Sequence, residues 1–322
     1  MEMVTVLRKS GYTPLESPMR NLPGSKHISV CICTYKRPEL LRRLLSKLEV
    51  QETEGLFDYS VVIVDNDRAE SGRQTAESFG RKSTTRVNYH VEPEQNIALA
   101  RNKAIEKAEG DLLALIDDDE FPDEYWLLNL YKSLHEFRAD VVLGPVKPYF
   151  ESKPPQWIIR GRFCERASFR TGTIIRNPKY TRTGNVLLRT SILVNEKSIF
   201  DPVFGRTGGE DVDFFKRMLE RDRVLIWCDE AYVHETVTPE RLKRSYFLKR
   251  ALLRGVANSE RVSLLSLDLL KSVTAFTLYT AILPLLVLWR HDVFMRYLIK
   301  DCDHIGKILA LFGLKVVKVR GT

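Results

Sequence analysis

The sequence predicts an α/β fold: a Rossmann-like, mostly parallel sheet flanked by helices, followed by a helical C-terminal appendage. Short apolar runs alternate with helical periodicity through the first half of the chain, the pattern of strands joined by crossover helices. The runs are apolar almost throughout, as in strands covered on both faces. Three of them adjoin polar clusters, Thr34-Tyr35-Lys36-Arg37, Asp65-Asn66-Asp67 and Asp117-Asp118-Asp119. Ligands of open α/β sheets bind beyond the carboxyl ends of strands, so the clusters mark one crevice.

Taken in order, Ile28 to Cys33 reads as a first strand, and Leu40, Leu41, Leu44, Leu45 and Leu48 form one helical face opened by Pro38. Ser60 to Val64 and Val87 to Val91 read as further strands, Ile97 to Ala108 as a helix, and Leu112 to Ile116 as the strand that meets the acids. A helix near Glu124 to Phe137 and a strand near Asp140 to Val146 follow. A Pro- and Arg-rich stretch then leads to Gly184-Asn185-Val186-Leu187-Leu188. Gly208-Gly209-Glu210-Asp211 opens a helix whose apolar face is expected to carry Val212, Phe215, Met218 and Leu219. Glycines before two acids suggest a bent loop that presents carboxylates, or acids that complement the helix dipole.

The chain has 322 residues, enough for a full core, and carries 50 Lys and Arg against 42 Asp and Glu, a net +8. Such a balance suits an anionic membrane surface or a phosphorylated substrate. No zinc spacing, RNA-binding signature or Walker loop is present, so no nucleic-acid partner is expected. Five cysteines, with Cys31 and Cys33 in an apolar strand, read as reduced core residues. Residues 1–25 read as an extension without a secretory signal.

Three adjacent carboxylates at a strand end repel one another, and a divalent cation that prefers oxygen ligands, Mg²⁺ or Mn²⁺, relieves that repulsion. A solvated acidic turn is the other reading of the triplet alone. Taken in order, ISVCICTYKRP, VVIVDND, NIALARNKAIEKAEGDLLALIDDDEFP, GNVLLR and GGEDVDFFKRM resemble the inverting family-2 glycosyltransferases of GT-A fold. Within that family the chain is similar to bacterial exopolysaccharide glucosyltransferases of the succinoglycan type. The resemblance covers roughly residues 26–236.

The resemblance implies a nucleotide-sugar donor, UDP-glucose favoured, bound with Mn²⁺ or Mg²⁺ through Asp117 and Asp119, with Asp119 the direct ligand. Asp118 would fix the ribose or stay solvated. Asp211 matches the general base, with Glu210 in support. Asp65 resembles the carboxylate that accepts from the nucleotide base, while Thr34, Tyr35 and Arg37 lie in the loop around base and ribose. Arg101 holds the place of the basic residue near the diphosphate, Gly184 and Asn185 that of the donor-sugar segment, and His234 that of a histidine near metal or diphosphate. Trp157 reads as an acceptor stack or as packing.

The domain expectation is an extension over 1–25, a catalytic domain over 26–238 and an appendage over 239–322. From Arg241 to Arg261 there are seven Lys or Arg interleaved with Tyr246, Phe247, Leu248, Leu252 and Leu253, a basic amphipathic helix. Ser272 to Trp289 follows without a charge, just long enough to span a bilayer, although Pro284 interrupts it. A full span would place the basic tail outside, against the positive-inside tendency. The appendage is therefore expected as an interfacial or re-entrant pair on the cytoplasmic leaflet of the inner membrane, or else as a packed helix pair. Its use would be to bring in a lipid-linked oligosaccharide acceptor. The rival functions are a sugar nucleotidyltransferase, which the glycine-free first loop disfavours, and a non-catalytic polysaccharide-assembly subunit.

Overall fold

The computed structural model describes residues 26–194, 196, 198–205, 208–259 and 267–311. The expected extension over 1–25 and the end of the basic tail lie outside the described residues. The chain forms two compact units, one of residues 26–147 and Arg166–Glu235, the other of Pro148–Glu165 and residues 236–311. Pro148–Glu165 groups with the C-terminal helices.

In the first unit the elements are β1 (Lys26–Thr34), α1 (Pro38–Leu48), β2 (Phe57–Asp65), α2 (Arg73–Gly80), β3 (Arg86–Val91), α3 (Ile97–Glu106), β4 (Leu112–Asp117), β5 (Glu120–Pro122), α4 (Trp126–Glu136) and β6 (Val141–Leu143). The chain continues through β7 (Val146–Tyr149) and a second-unit helix, α5 (Gln156–Gly161), to β8 (Asn185–Arg189), α6 (Glu210–Glu220), β9 (Leu225–Trp227) and β10 (Val233–Thr236). The single strand expected near Asp140 to Val146 is two, β6 and β7, because Gly144-Pro145 interrupts it.

The main sheet has the order β3-β2-β1-β4-β8-β6-β9. Only β8 runs against its neighbours, antiparallel to both β4 and β6. Strand alternation divides the core in two. Ile28, Val30, Ile32, Val61, Ile63 and Ala114 face the leucines of α1 and the buried side of α4. Cys31, Val62, Val64, Leu113 and Leu115 face the alanines of α3 and the aromatic side of α6. A second sheet of order β5-β10-β7 carries the chain just past the acidic turn.

On α6 the buried side is Glu210, Phe214, Phe215 and Met218, with Leu219 partly buried. Val212, expected in the core, is 39 % exposed. Glu210, Phe214 and Met218 are spaced four apart with Phe215 beside them, and Val212 falls off that stripe.

The second unit adds α7 (Arg244–Ser259), α8 (Leu267–Trp289) and α9 (His291–Leu311) to α5. Gly255 of α7 and Gly306 of α9 let two helix backbones touch: a Cβ on Gly255 would stand 2.1 Å from the Asp303 carbonyl oxygen, and one on Gly306 2.3 Å from that of Leu252. Helix α8 includes an apolar stretch, Leu269–Trp289, of membrane-spanning length with 11 % of its window buried. Trp157 packs edge-on against Phe247 and His291 and tilted against Phe163, which makes it a packing residue of this unit.

Candidate active site

The acidic turn is tied to the loop after β1. Asp118 is 4 % exposed and accepts from Thr34 Oγ1 at 2.8 Å and Arg37 Nη1 at 3.0 Å. Burial pushes its carboxyl up, and Arg37 and Thr34 oppose that rise. Arg37 Nη1 also lies 3.2 Å from Asp119 Oδ2. Thr34 and Arg37 thus brace the acids from within the protein. Between them Lys36 takes a left-handed φ of 54° with its ammonium over the Tyr35 ring at 5.1 Å.

A second bracing comes from α3. Asn96 caps that helix, accepting from the Ala98 and Leu99 amides, and donates to the Pro202 carbonyl at 3.0 Å. One turn in, Arg101 bonds Glu210 Oε1 with Nη1, and its Nη2 is 3.1 Å from Asp117 Oδ1. Burial alone would lower this guanidinium, yet Asp117 and Glu210 more than offset it, so its pKa rises. Glu210 is pushed up by burial against the pull of Arg101, and its Oε2 is sealed from water without a partner.

Ahead of Glu210, Gly208 and Gly209 have φ of 86° and 102°, a left-handed path that only glycine takes freely. The bend turns Glu210 inward and leaves Asp211 half-buried beside it, with Oδ1 accepting from the Val212 amide at 2.8 Å.

Four residues absent from the sequence reading belong to this cluster. Glu120 is buried and receives the Asp117 amide at 3.3 Å. Its carboxyl is pushed well above the usual range, first by burial and then by Asp117, Asp119 and Glu235. Glu235 stands opposite Glu120 in the β5–β10 register and pairs with Arg166 at 2.5 Å. Arg182 has a buried Nε without a partner; burial and Arg166 bring its pKa down to about 10 against the pull of Glu120, Asp211 and Glu235. The signal for Glu235 was period two, since it follows His234 on the other face of β10, while Glu120 directly follows the acidic turn at the start of β5.

His234 pairs in register with Phe121, stacks on its ring at 5.4 Å, and meets Tyr232 edge-on. The next residue, Glu235, is the one set opposite Glu120. Asp65 is fully buried, with Oδ1 accepting from the Asp67 amide at 3.0 Å and Oδ2 from the Gly72 amide at 2.6 Å and the Tyr89 hydroxyl at 2.9 Å. Both oxygens hold the turn after β2. Asn185, also fully buried, accepts from Trp126 Nε1 and donates to the Pro145 and Ala231 carbonyls, so its amide serves the fold. Gly184 does lie at the acids: a Cβ there would be 2.5 Å from Glu120 Oε1 and 3.1 Å from Asp117 Oδ2.

Asp117, with a side chain 42 % exposed, and Asp119 offer hard oxygen donors suited to Mg²⁺ or Mn²⁺, which complete their shells with substrate phosphates and water. Among the described residues no three His, Cys, Asp or Glu are grouped as a ready metal site. The donor chemistry fits a cation shared with a ligand better than a protein-only cage.

Comparisons with known proteins bear on the family and the fold. The succinoglycan biosynthesis protein ExoM of Rhizobium meliloti is 29 % identical over 311 residues, 92 % of this chain and 96 % of that protein. The poly(ribitol-phosphate) beta-N-acetylglucosaminyltransferase TarS of Staphylococcus aureus is 23 % identical over 208 residues, 65 % of this chain and 35 % of that protein. The crystal structure of TarS 1-349 in complex with UDP superimposes with a TM-score of 0.52 at 18 % identity, covering 90 % of this chain and 93 % of that one. That of GalNAc-T7 with UDP, GalNAc and Mn²⁺ gives 0.54 at 11 %, covering 74 % and 51 %. These structural likenesses are of fold, the GT-A fold. The family model for glycosyl transferase family 2 matches residues 29–197, so the chain belongs to that family.

Proposed function

We propose that the protein transfers a hexose, glucose favoured, from a UDP-sugar to a lipid-linked saccharide acceptor with inversion, in bacterial polysaccharide biosynthesis at the cytoplasmic face of the membrane. The observation that carries this reading is the Arg101 bridge, which joins the acid turn at Asp117 to Glu210, next to Asp211. That bridge supports reading the acid turn as the donor side and Asp211 as the acceptor side of one site.

Transfer requires charge to be neutralised on the departing diphosphate and a proton to leave the attacking hydroxyl. Asp119 and Asp117 would hold the divalent cation, which supplies Lewis-acid stabilisation of the leaving phosphate. Asp211 takes the acceptor proton, a role worth about 10²–10⁴ in rate. Glu210, held by Arg101, fixes the helix start from which Asp211 projects. Arg182 adds positive charge that acts on Asp211, Glu120 and Glu235. Single displacement from the face opposite the diphosphate gives inversion. UDP is supported by the bound nucleotide of the TarS and GalNAc-T7 structures, and polysaccharide synthesis by the full-length likeness to ExoM. A lipid-linked acceptor is supported by the basic helix α7 and the exposed apolar surface of α8.

Calorimetric titration of UDP with and without Mn²⁺, on wild type and Asp119→Ala in detergent, tests the donor half. Metal-dependent binding lost in the variant is expected; no UDP binding to wild type would overturn the donor assignment. Release of UDP without sugar 1-phosphate during turnover separates transfer from nucleotidyl chemistry.

A further inference from the structure

We propose that a cavity in the second unit, at the corner between α8 and α9, receives the diphosphate of the lipid-linked acceptor; this rests on the acceptor class proposed above. The cavity measures about 290 Å³ and is lined by Trp157, Arg160, Trp289, Arg290, His291 and Asp292, among others. That is near the lower bound of ligand sites, large enough for a phosphate group and small for an oligosaccharide.

Three independent features define its chemistry. First, it lies where an exposed apolar surface stops. Leu278, Leu285 and Leu288 are 62 %, 69 % and 85 % exposed, and Trp289 at 72 % is followed directly by Arg290. An apolar stretch ending in Trp then Arg is the ordering found where hydrocarbon gives way to headgroups. A prenyl chain lying along α8 would bring its phosphates to this corner.

Second, the charge there is positive. Asp292, 4 % exposed, accepts from Arg290 through both oxygens, at 2.7 Å from Nη2 and 3.2 Å from Nε. Arg160, exposed on α5, faces the same carboxylate, and Arg244 faces His291. Two arginines thus flank one carboxylate, and a third faces the histidine beside it. Guanidinium forks match phosphate oxygens in geometry as well as charge.

Third, the walls are held from within the unit. Trp157 is fixed by Phe163, Phe247 and His291, and Arg296 ties the end of α5 by donating to the Gly161 carbonyl at 3.2 Å. Arg160 and Arg244 stand on α5 and α7, and Arg290 is the single residue between α8 and α9, its side chain held by Asp292.

The test uses the full chain, with flotation against phosphatidylcholine vesicles carrying undecaprenyl diphosphate and against phosphatidylglycerol vesicles of equal charge density. Arg160→Gln removes an exposed cation without opening the core, and Arg290→Lys keeps the counter-charge of Asp292 while removing the fork. Each variant is expected to bind diphosphate vesicles about tenfold more weakly than wild type, as loss of one charge-assisted contact implies, with UDP affinity unchanged. Equal binding by wild type and both variants would overturn the proposal. So would equal binding of wild type to phosphatidylglycerol, which would reveal bulk surface charge. UDP bound normally while the lipid diphosphate is ignored defeats this inference alone; loss of UDP binding by wild type defeats the donor reading instead.

Discussion

Arg101 is shared between two acids from distant parts of the chain: Nη1 bonds Glu210 at the start of α6, and Nη2 meets Asp117 at the end of β4. The Arg101 and Glu210 side chains are 10 % and 9 % exposed, so the pair is buried. Arg101→Ala would strand Glu210 without its counter-charge. The expected cost is about 3–5 kcal/mol in urea denaturation. Arg101→Lys, which keeps the charge and loses the fork, should cost less. A loss under about 1 kcal/mol for the alanine variant would show that the bridge does not hold the site together.

Asp211 is expected to behave differently from its neighbour. It is half-buried, with Oδ1 accepting from the Val212 amide of its own helix, so Asp211→Asn should leave the melting temperature nearly unchanged. Transfer should fall by about 10²–10⁴ while UDP binding persists. Loss of UDP binding in step with activity would move Asp211 to the donor side.

Arg182 should trade stability for activity. Its Nε is buried without a partner and its pKa is brought down to about 10, so its surroundings on balance disfavour the charge. Arg182→Met is expected to raise stability by about 1 kcal/mol and to reduce turnover sharply, the pattern of a strained functional group. A destabilised variant with full activity would assign Arg182 to the fold.

Gly184→Ala places a methyl 2.5 Å from Glu120 Oε1 and 3.1 Å from Asp117 Oδ2. Glu120 must shift, and Asp117 must give by a few tenths of an ångström. Overpacking of this kind costs about 1–3 kcal/mol, and Mn²⁺-dependent UDP binding should weaken with it. Calorimetry on a variant that remains folded by circular dichroism separates the two effects.

His135, in the last turn of α4, sets a pH dependence. Burial lowers its pKa, helped by Arg189 and Lys26, and outweighs the helix end, which favours the cation. The unfolded chain therefore takes up the proton first on acidification. The stability from the neutral ring is present above about 6.5 and is lost as pH falls through the lower folded value. Replacing His135 by Phe should flatten that limb of the denaturation curve between pH 7 and 5.

The strands of the first half were legible because each is an apolar run between punctuating polar residues, and Pro38 and Asn96 mark their helix starts in the sequence itself. The acid turn and the Glu210-Asp211 corner were legible by residue type. What was hidden is which atoms the fold consumes. Asp65 and Asn185 match the family pattern, yet hydrogen bonds from Gly72, Tyr89 and Trp126 claim their polar atoms, and those partners lie up to 59 residues away in sequence. Glu120 and Glu235 were hidden for the opposite reason, since neither stands out until β5 and β10 set them face to face. Val212 fell outside the core because one helical position moves a side chain by about 100°.

The reversed strand β8 has a further consequence. Running against β4, with Ile116 paired to Asn185, it begins where β4 ends. The acids are therefore met by the segment arriving at β8, which carries Arg166, Arg182 and Gly184. An approach segment can change in length and composition without shifting the register behind it. Here, though, Gly184 lies against Glu120 and Asp117, so a change at the end of that stretch reaches the acids at the tip of a parallel strand.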